Sequence, residues 1–479
     1  MNEQRAKGKL ERFLKSPSFI LFVASVIIYT FCLNGLWGTD HPTSFLQFDW
    51  AIWTRHSFAL GNSTALQRVS VDDFKYNRYY YSALAPGTPI LSLPFTIAGF
   101  IVDGQFSSLA TAMVYSEFFV ALINALAIVL VYKICRFYFR ESTSIFIALA
   151  YGFSTISWPF ATFFFQSDPS AAFDLLATFF ILRAVKEKYF RFRELAFSGL
   201  ALATAMTVDY VNVILFPIFL IYLVVCVSSE KMERVIKTLT IFSLFSLVGG
   251  VLIGAYDYFS FGNPFTTSEE LYLGGSFFSH FSHPLILGLI LNLFTPLRGL
   301  FVYCPILVFG VPGFYYMIKS KNSIKDGLLF LGLFIGIVFP YSMWYAWDAG
   351  LSYGPRFLVA AIPFLLIPVG FLIDGPKRIN YRIAAYILYT FGVLTNGIAA
   401  LTSALAPPGP WLESPFVSST LPAFENGVLD SWWKGYISGY WWVIVALILG
   451  FTLVLPAVTF QMKRVKSPKT LISPEEHSA

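Results

Sequence analysis

The chain has 479 residues, of which 56% are apolar and only 13% charged, and it carries a formal net charge of +6. A soluble domain is about half apolar and about one-quarter charged, so this composition, with a mean hydropathy of +0.66, speaks for a membrane protein. The positive charge lies in short clusters between apolar runs, which argues against nucleic-acid binding and reports topology instead.

The clusters begin with Arg5, Lys7, Lys9, Arg12 and Lys15 and end with Lys463, Arg464, Lys466 and Lys469. Only Arg55, Arg68, Lys75, Arg78, Arg298, Arg356 and Lys434 lie elsewhere. Cytoplasmic loops collect Lys and Arg, so the clusters mark one side of the membrane and the few remaining cations the other. Cys32, Cys135, Cys226 and Cys304 all fall in or at the ends of apolar runs, with no C-x-x-C spacing. That pattern favours neither a disulfide framework nor a zinc site.

A crossing helix needs about 20 apolar residues. The basic segment 1–17 precedes a first span over 18–38, read as an uncleaved anchor with its N-terminus inside. An outer loop follows over 39–107. Within it, the run 86–103 carries Pro86, Pro89 and Pro94 and no flanking cation, which predicts a re-entrant or juxtamembrane helix. Spans are then expected over 108–132, 143–162 and 169–184. The stretch 195–227 reads as a helical hairpin with Asp209 near its tip. Further spans follow over 236–256, 298–318, 327–346, 355–373, 383–403 and 439–460, with outer loops at 257–297 and 404–438 and a tail at 462–479. This gives an all-α integral membrane bundle of about 12 crossings with both termini cytoplasmic. Residues 18–375 form its membrane module and 376–461 its C-terminal helices.

Six short segments converge on the expected outer face. In Gln47-Phe48-Asp49-Trp50, Asp49 is either a loop acid paired with Arg55 or a general base tuned by its surroundings. The run Tyr79-Tyr80-Tyr81-Ser82-Ala83-Leu84-Ala85-Pro86-Gly87-Thr88-Pro89 leads into the re-entrant stretch, with Arg78 just before it. In Gln166-Ser167-Asp168-Pro169, Asp168 is either a helix-start residue or a second functional carboxylate. Asp257 leaves a span within Tyr256-Asp257-Tyr258. Arg298 lies in Pro296-Leu297-Arg298-Gly299-Leu300-Phe301, and Arg356 in the run from Trp347 through Asp348, Tyr353 and Gly354 to Phe357. Both arginines sit where helices begin, against the dipole preference. An acidic partner such as Asp348 or Asp257 is one reading, and a bound phosphate the other. His280 and His283 are spaced for one helix face, but no third metal ligand stands beside them.

On Asp49, the Tyr81-to-Pro89 turn, Asp168-Pro169 and the two arginine segments, the chain resembles the GT-C membrane glycosyltransferases, in particular the aminoarabinose-transferase and protein-O-mannosyltransferase group. The resemblance implies transfer of a sugar from a polyprenyl-phosphate carrier to an acceptor outside the cytoplasm. It implies Asp49 as catalytic base with Asp168 as second carboxylate, and a pocket that includes Tyr81, Tyr353, Trp347 and Asp257. Arg356, Arg298 and Arg78 are the expected contacts of the donor phosphate, since a leaving phosphate needs positive charge. A single base opposite that phosphate favours inversion at the anomeric carbon. The expected partners are the lipid-linked donor, a hydroxyl acceptor on protein, lipid or glycan, and the membrane of the cell envelope. No cofactor is firmly implied, and the sequence leaves use of a divalent metal open. The alternative is a transporter or flippase of a lipid-linked sugar, although transporters place ionisable groups near the midplane and often show repeats.

Overall fold

A computed structural model describes residues 14–36, 40–61, 70–103, 109–186, 191–374, 378–403, 405–407 and 409–429, with the isolated positions 432, 448 and 450–452. The expected span 439–460, the tail 462–479, Arg68, Lys434 and most of the N-terminal segment lie wholly or largely outside these residues.

The architecture is a helical membrane bundle. Among the described residues, six helices are long and apolar enough to cross a membrane: Ala110–Cys135, Tyr210–Val227, Met232–Phe261, Ile324–Met343, Arg356–Ile373 and Ile379–Thr402. Shorter apolar helices include Pro17–Cys32 and Gly87–Val102. Helices Phe192–Val208 and Leu215–Val227 form the expected hairpin, with Asp209 between them. Asp209 caps the tip by accepting from the Val211 amide at 3.2 Å.

The outer loop adds a small hairpin to the helices: strand β1 (Asp73–Tyr76) pairs antiparallel with strand β2 (Tyr79–Ser82). Asn77 turns the corner at φ 54°, a conformation that Asn tolerates better than most side chains. The re-entrant stretch is one continuous helix, Gly87–Asp103, despite Pro94. It packs closely on Ala110–Cys135: a Cβ on Gly99 would lie 2.5 Å from Ala112 Cα.

Two expected spans are broken helices. The first breaks between Glu141–Phe153 and Ser157–Phe160, the second between Leu300–Tyr303 and Gly310–Lys319. Pro305 disfavours α geometry at Cys304, whose φ of −129° and ψ of 66° end the helix,. Freed backbone groups must find partners inside the protein. Asn396 Nδ2 donates to the Tyr303 carbonyl at 3.0 Å, and the Ile156 amide donates to Cys304 Sγ at 3.4 Å.

The long helices give the bundle two ends. Helix Ser167–Lys186 starts beside Gln166 and ends at Lys186, which meets Asp326 at 2.5 Å. Helix Ile324–Met343 starts at that pair and returns to Tyr341. Each has 20 residues, roughly 30 Å at 1.5 Å per residue. The described residues of the basic clusters therefore gather at one end: Arg140 also binds Asp374 at 3.0 Å there. The segments singled out above gather toward the other.

Candidate active site

A cavity of about 280 Å³ opens at the end away from the basic clusters. Segments far apart in the chain build it. His41 comes from helix Asp40–Arg55, Asp72 from the approach to β1, and Phe165 and Gln166 from the turn before helix Ser167–Lys186. Asp209 and Tyr210 come from the hairpin tip, Glu269 and Tyr272 from helix Ser268–Leu273. Tyr341, Trp344 and Tyr345, the turn Ala349–Leu351, and Arg356 close the far wall.

Arg356 is the central cation. It is 7% exposed, and its guanidinium stacks 4.2 Å from the Phe165 ring centre and 5.4 Å from that of Phe357. Its Nε is buried without a hydrogen-bond partner among the described residues. The guanidinium forms no ion pair there either. An unpaired buried charge is strongly unfavourable, and stacking on two aromatic faces offsets only part of that.

The carboxylates differ in environment. Asp72 Oδ2 lies 3.4 Å from His41 Nδ1, and the other ring nitrogen of His41 meets Gln166 Oε1. Burial alone would raise the Asp72 carboxyl, but the hydrogen bond and charge of His41, with the charge of Arg356, outweigh it and hold it below the ordinary value,. Glu269 responds oppositely: burial, then the charge of Asp209, push it up to about 8. Asp209 has both oxygens engaged, one by the Val211 amide and one by the Tyr341 hydroxyl. At neutral pH the cavity thus holds an ionised carboxylate near Arg356 and a protonated one on another wall, an arrangement that separates two roles.

The residues expected from sequence are distributed differently. Arg356 lines the cavity; Asp49 does not. Asp49 is 0% exposed, and its Oδ2 accepts from Thr96 at 2.6 Å and Ser92 at 3.3 Å. It fastens helix Asp40–Arg55 to helix Gly87–Asp103. Arg55 is not its partner, since that side chain donates to the Leu60 carbonyl at 2.7 Å. Asp168 lies beneath the cavity and accepts from Ser157 Oγ at 2.8 Å. Ser157 is tied in turn to Asn124.

Arg298 is 0% exposed and, among the described residues, its side chain donates only to backbone carbonyls, so it does not line the cavity. Arg78 is exposed at the hairpin turn. Tyr81 packs in an aromatic cluster with Phe74 and Phe261. Tyr353 is buried edge-on to Tyr303, and Trp347 lies over His283. Asp257 is buried with neither oxygen partnered among the described residues, and it does not reach the cavity wall. His280 and His283 each face a backbone carbonyl, of Gly274 and Ser342. No group of three or more His, Cys, Asp or Glu placed to hold a metal occurs among the described residues.

His41, Asp72 and Glu269 line the cavity without having been singled out in the sequence. Glu269 had a readable signal. Thr267 and Glu270 form a capping box, with the Glu270 amide on Thr267 Oγ1 at 3.2 Å, which fixes a helix start in the outer loop. Asp72 had none, because its value depends on contacts with His41 and Arg356 from distant segments.

Comparison with solved structures defines the class: this is a multi-pass membrane protein with the fold of the GT-C glycosyltransferases. ArnT from Cupriavidus metallidurans bound to undecaprenyl phosphate aligns over 91% of this chain and 77% of its own, with TM-score 0.53 and 14% identity. Its apo state gives 92%, 74%, 0.54 and 15%. The archaeal oligosaccharyltransferase AglB from Archaeoglobus fulgidus, in complex with an inhibitory peptide and a dolichol-phosphate, aligns over 93% of this chain but 55% of its own, with TM-score 0.51 and 11% identity. By sequence, residues 108–253 match the dolichyl-phosphate-mannose-protein mannosyltransferase family. That stretch contains Gln166 and Asp209 of the cavity, but neither Asp72 nor Arg356. No curated protein sequence matches the chain.

Proposed function

We propose that this protein transfers a sugar from a polyprenyl-phosphate carrier to a hydroxyl acceptor at the extracytoplasmic face, with inversion at the anomeric carbon. The observation that carries this reading is Arg356: a buried guanidinium on the cavity wall that, among the described residues, contacts no carboxylate in an ion pair and leaves its Nε without a hydrogen-bond partner, with Asp72 acting on it only at longer range. A phosphate ester supplies a contacting anion. The known lipid-phosphate complexes of ArnT and AglB, which share the fold, support the same ligand class.

In this scheme Arg356 holds the donor phosphate. Asp72, ionised and within the field of Arg356, faces the neighbouring reaction centre. The acceptor oxygen attacks the anomeric carbon and its proton passes to the Asp72 carboxylate. The bond from that carbon to the phosphate oxygen breaks, and its electron pair leaves with the polyprenyl phosphate. A positioned base contributes roughly 10²–10⁴-fold. The leaving phosphate is a stable anion and requires charge stabilisation rather than protonation. The positive-inside rule supports the sidedness, because the cavity opens away from the basic clusters.

The test uses purified protein in lipid with labelled polyprenyl-phosphate sugars and hydroxyl acceptors. Wild type should transfer. Asp72→Asn should lower the rate about 10²-fold or more, while Asp49→Asn, acting on a helix contact, should retain transfer. A product with retained anomeric configuration rules out direct displacement. Carrier movement across vesicles without transfer to any acceptor would favour a flippase.

A further inference from the structure

We infer that Arg298 is a positioning residue: a buried guanidinium fork that locks the left-handed turn at Ala349 and Gly350 and thereby presents the cavity wall and Arg356 to the ligand. Its Nε donates to the Asp348 carbonyl at 2.6 Å and its Nη2 to the Gly350 carbonyl at 2.7 Å, while Nη1 donates to its own neighbour Leu297 at 3.2 Å. Among the described residues it has no carboxylate partner, and its side chain is sealed from the cavity. A cation placed to bind substrate phosphate would keep donors free. Here they are spent on the backbone of one turn.

That turn needs holding. Ala349 and Gly350 both have φ of 59°, and a residue with a Cβ resists this region. Among the described residues, nothing else caps the Asp348 and Gly350 carbonyls. The turn lines the cavity, and six residues past Gly350 the chain delivers Arg356. Between them Gly354, at φ 70°, lies flat on Tyr303, where a Cβ would come within 2.9 Å of the ring. Tyr303 is anchored by its hydroxyl to the Pro296 carbonyl at 3.0 Å. The segment 296–303 therefore grips the segment 348–356 at two points, and Arg298 is the polar one. The planar fork reaches two carbonyls two residues apart, which a lysine ammonium does not match.

The inference rests on the phosphate-binding reading of Arg356, and the experiment separates the two. Amide hydrogen exchange over 344–356 and binding of undecaprenyl phosphate are measured in lipid for wild type, R298K, R356Q and G350A. R298K keeps the charge and loses the fork: exchange over this stretch should rise about tenfold, and affinity should fall by about tenfold, as expected for loss of charge-assisted hydrogen bonds. R356Q should lose affinity with exchange at 348–350 unchanged. G350A strains the turn and leaves Arg298 intact; its Cβ would meet open space, so the strain falls on the backbone of the turn alone, and it should weaken binding in the same direction. R298K with wild-type exchange, or G350A with wild-type affinity in a wild type that binds, overturns the inference. Failure of wild type to bind the lipid phosphate rejects the functional reading instead, and exchange in R298K then decides the clamp.

Discussion

At the scale of single residues, the cavity sorts its charged groups by what each can reach. Arg356 stacks on rings and keeps hydrogen-bonding capacity, whereas Arg298 has committed its donors to carbonyls. Arg356→Gln should weaken binding of a lipid phosphate by about tenfold to a hundredfold, the scale of a charge-assisted contact. Isothermal titration into protein in lipid would show it, and Arg356→Lys should recover part of the loss. Glu269 gives a pH signature. Its folded value, about 8, lies above the ordinary glutamate value of about 4.3. Between these the folded state holds a proton that the unfolded state has released, so stability falls as pH rises through that window. In Glu269→Gln the fall should flatten, read as thermal midpoints across the same range. An unchanged slope would mean that Glu269 is ionised in the fold.

At the scale of elements, close contacts decide how the helices pack. Phe192–Val208 and Met232–Phe261 approach through small residues from both sides. A Cβ on Gly199 would lie 2.7 Å from the Phe242 carbonyl, and one on Gly249 2.6 Å from that of Ala203. Small residues permit such approach where lipid offers no hydrophobic drive between helices. At the basic end Asp326 accepts from Tyr138 at 2.9 Å and Tyr222 at 2.7 Å while pairing with Lys186. Asp326→Asn leaves the Lys186 charge without its anion and should destabilise by about 3 kcal/mol, the lower end for broken buried pairs. Thermal unfolding in lipid measures this. Undecaprenyl phosphate affinity should be retained, because the cavity is at the far end of helix Ile324–Met343.

At the scale of the whole molecule, two ends with opposite character follow from one chain. The described residues of the basic clusters face one way, and the cavity with its acids and aromatic rings faces the other. Lys75, exposed on the β1–β2 hairpin, and Lys321, in a basic cluster, should therefore label from opposite sides when each is replaced by cysteine. A membrane-impermeant maleimide applied to intact cells should modify Lys75→Cys and spare Lys321→Cys; the reverse pattern would invert the proposed sidedness.

The sequence by itself determined the bundle, because apolar run length and Lys/Arg placement act through the bilayer and need no knowledge of neighbours. It also brought Arg356 forward, since a lone cation at a helix start conflicts with local rules wherever the chain folds. It did not show which acids line the cavity. Asp49 and Asp72 are both aspartates of the outer loop, and nothing local to either says which one meets the cavity. Only tertiary packing turned Asp49 toward Ser92 and Thr96 and set Asp72 beside His41 and Arg356. Arg298 and Arg356 likewise share a local context and part company in three dimensions, one facing carbonyls and the other a cavity. The physical reason is the same in both cases: a charge acquires its role from what surrounds it at a few ångströms, and those neighbours come from segments far away along the chain.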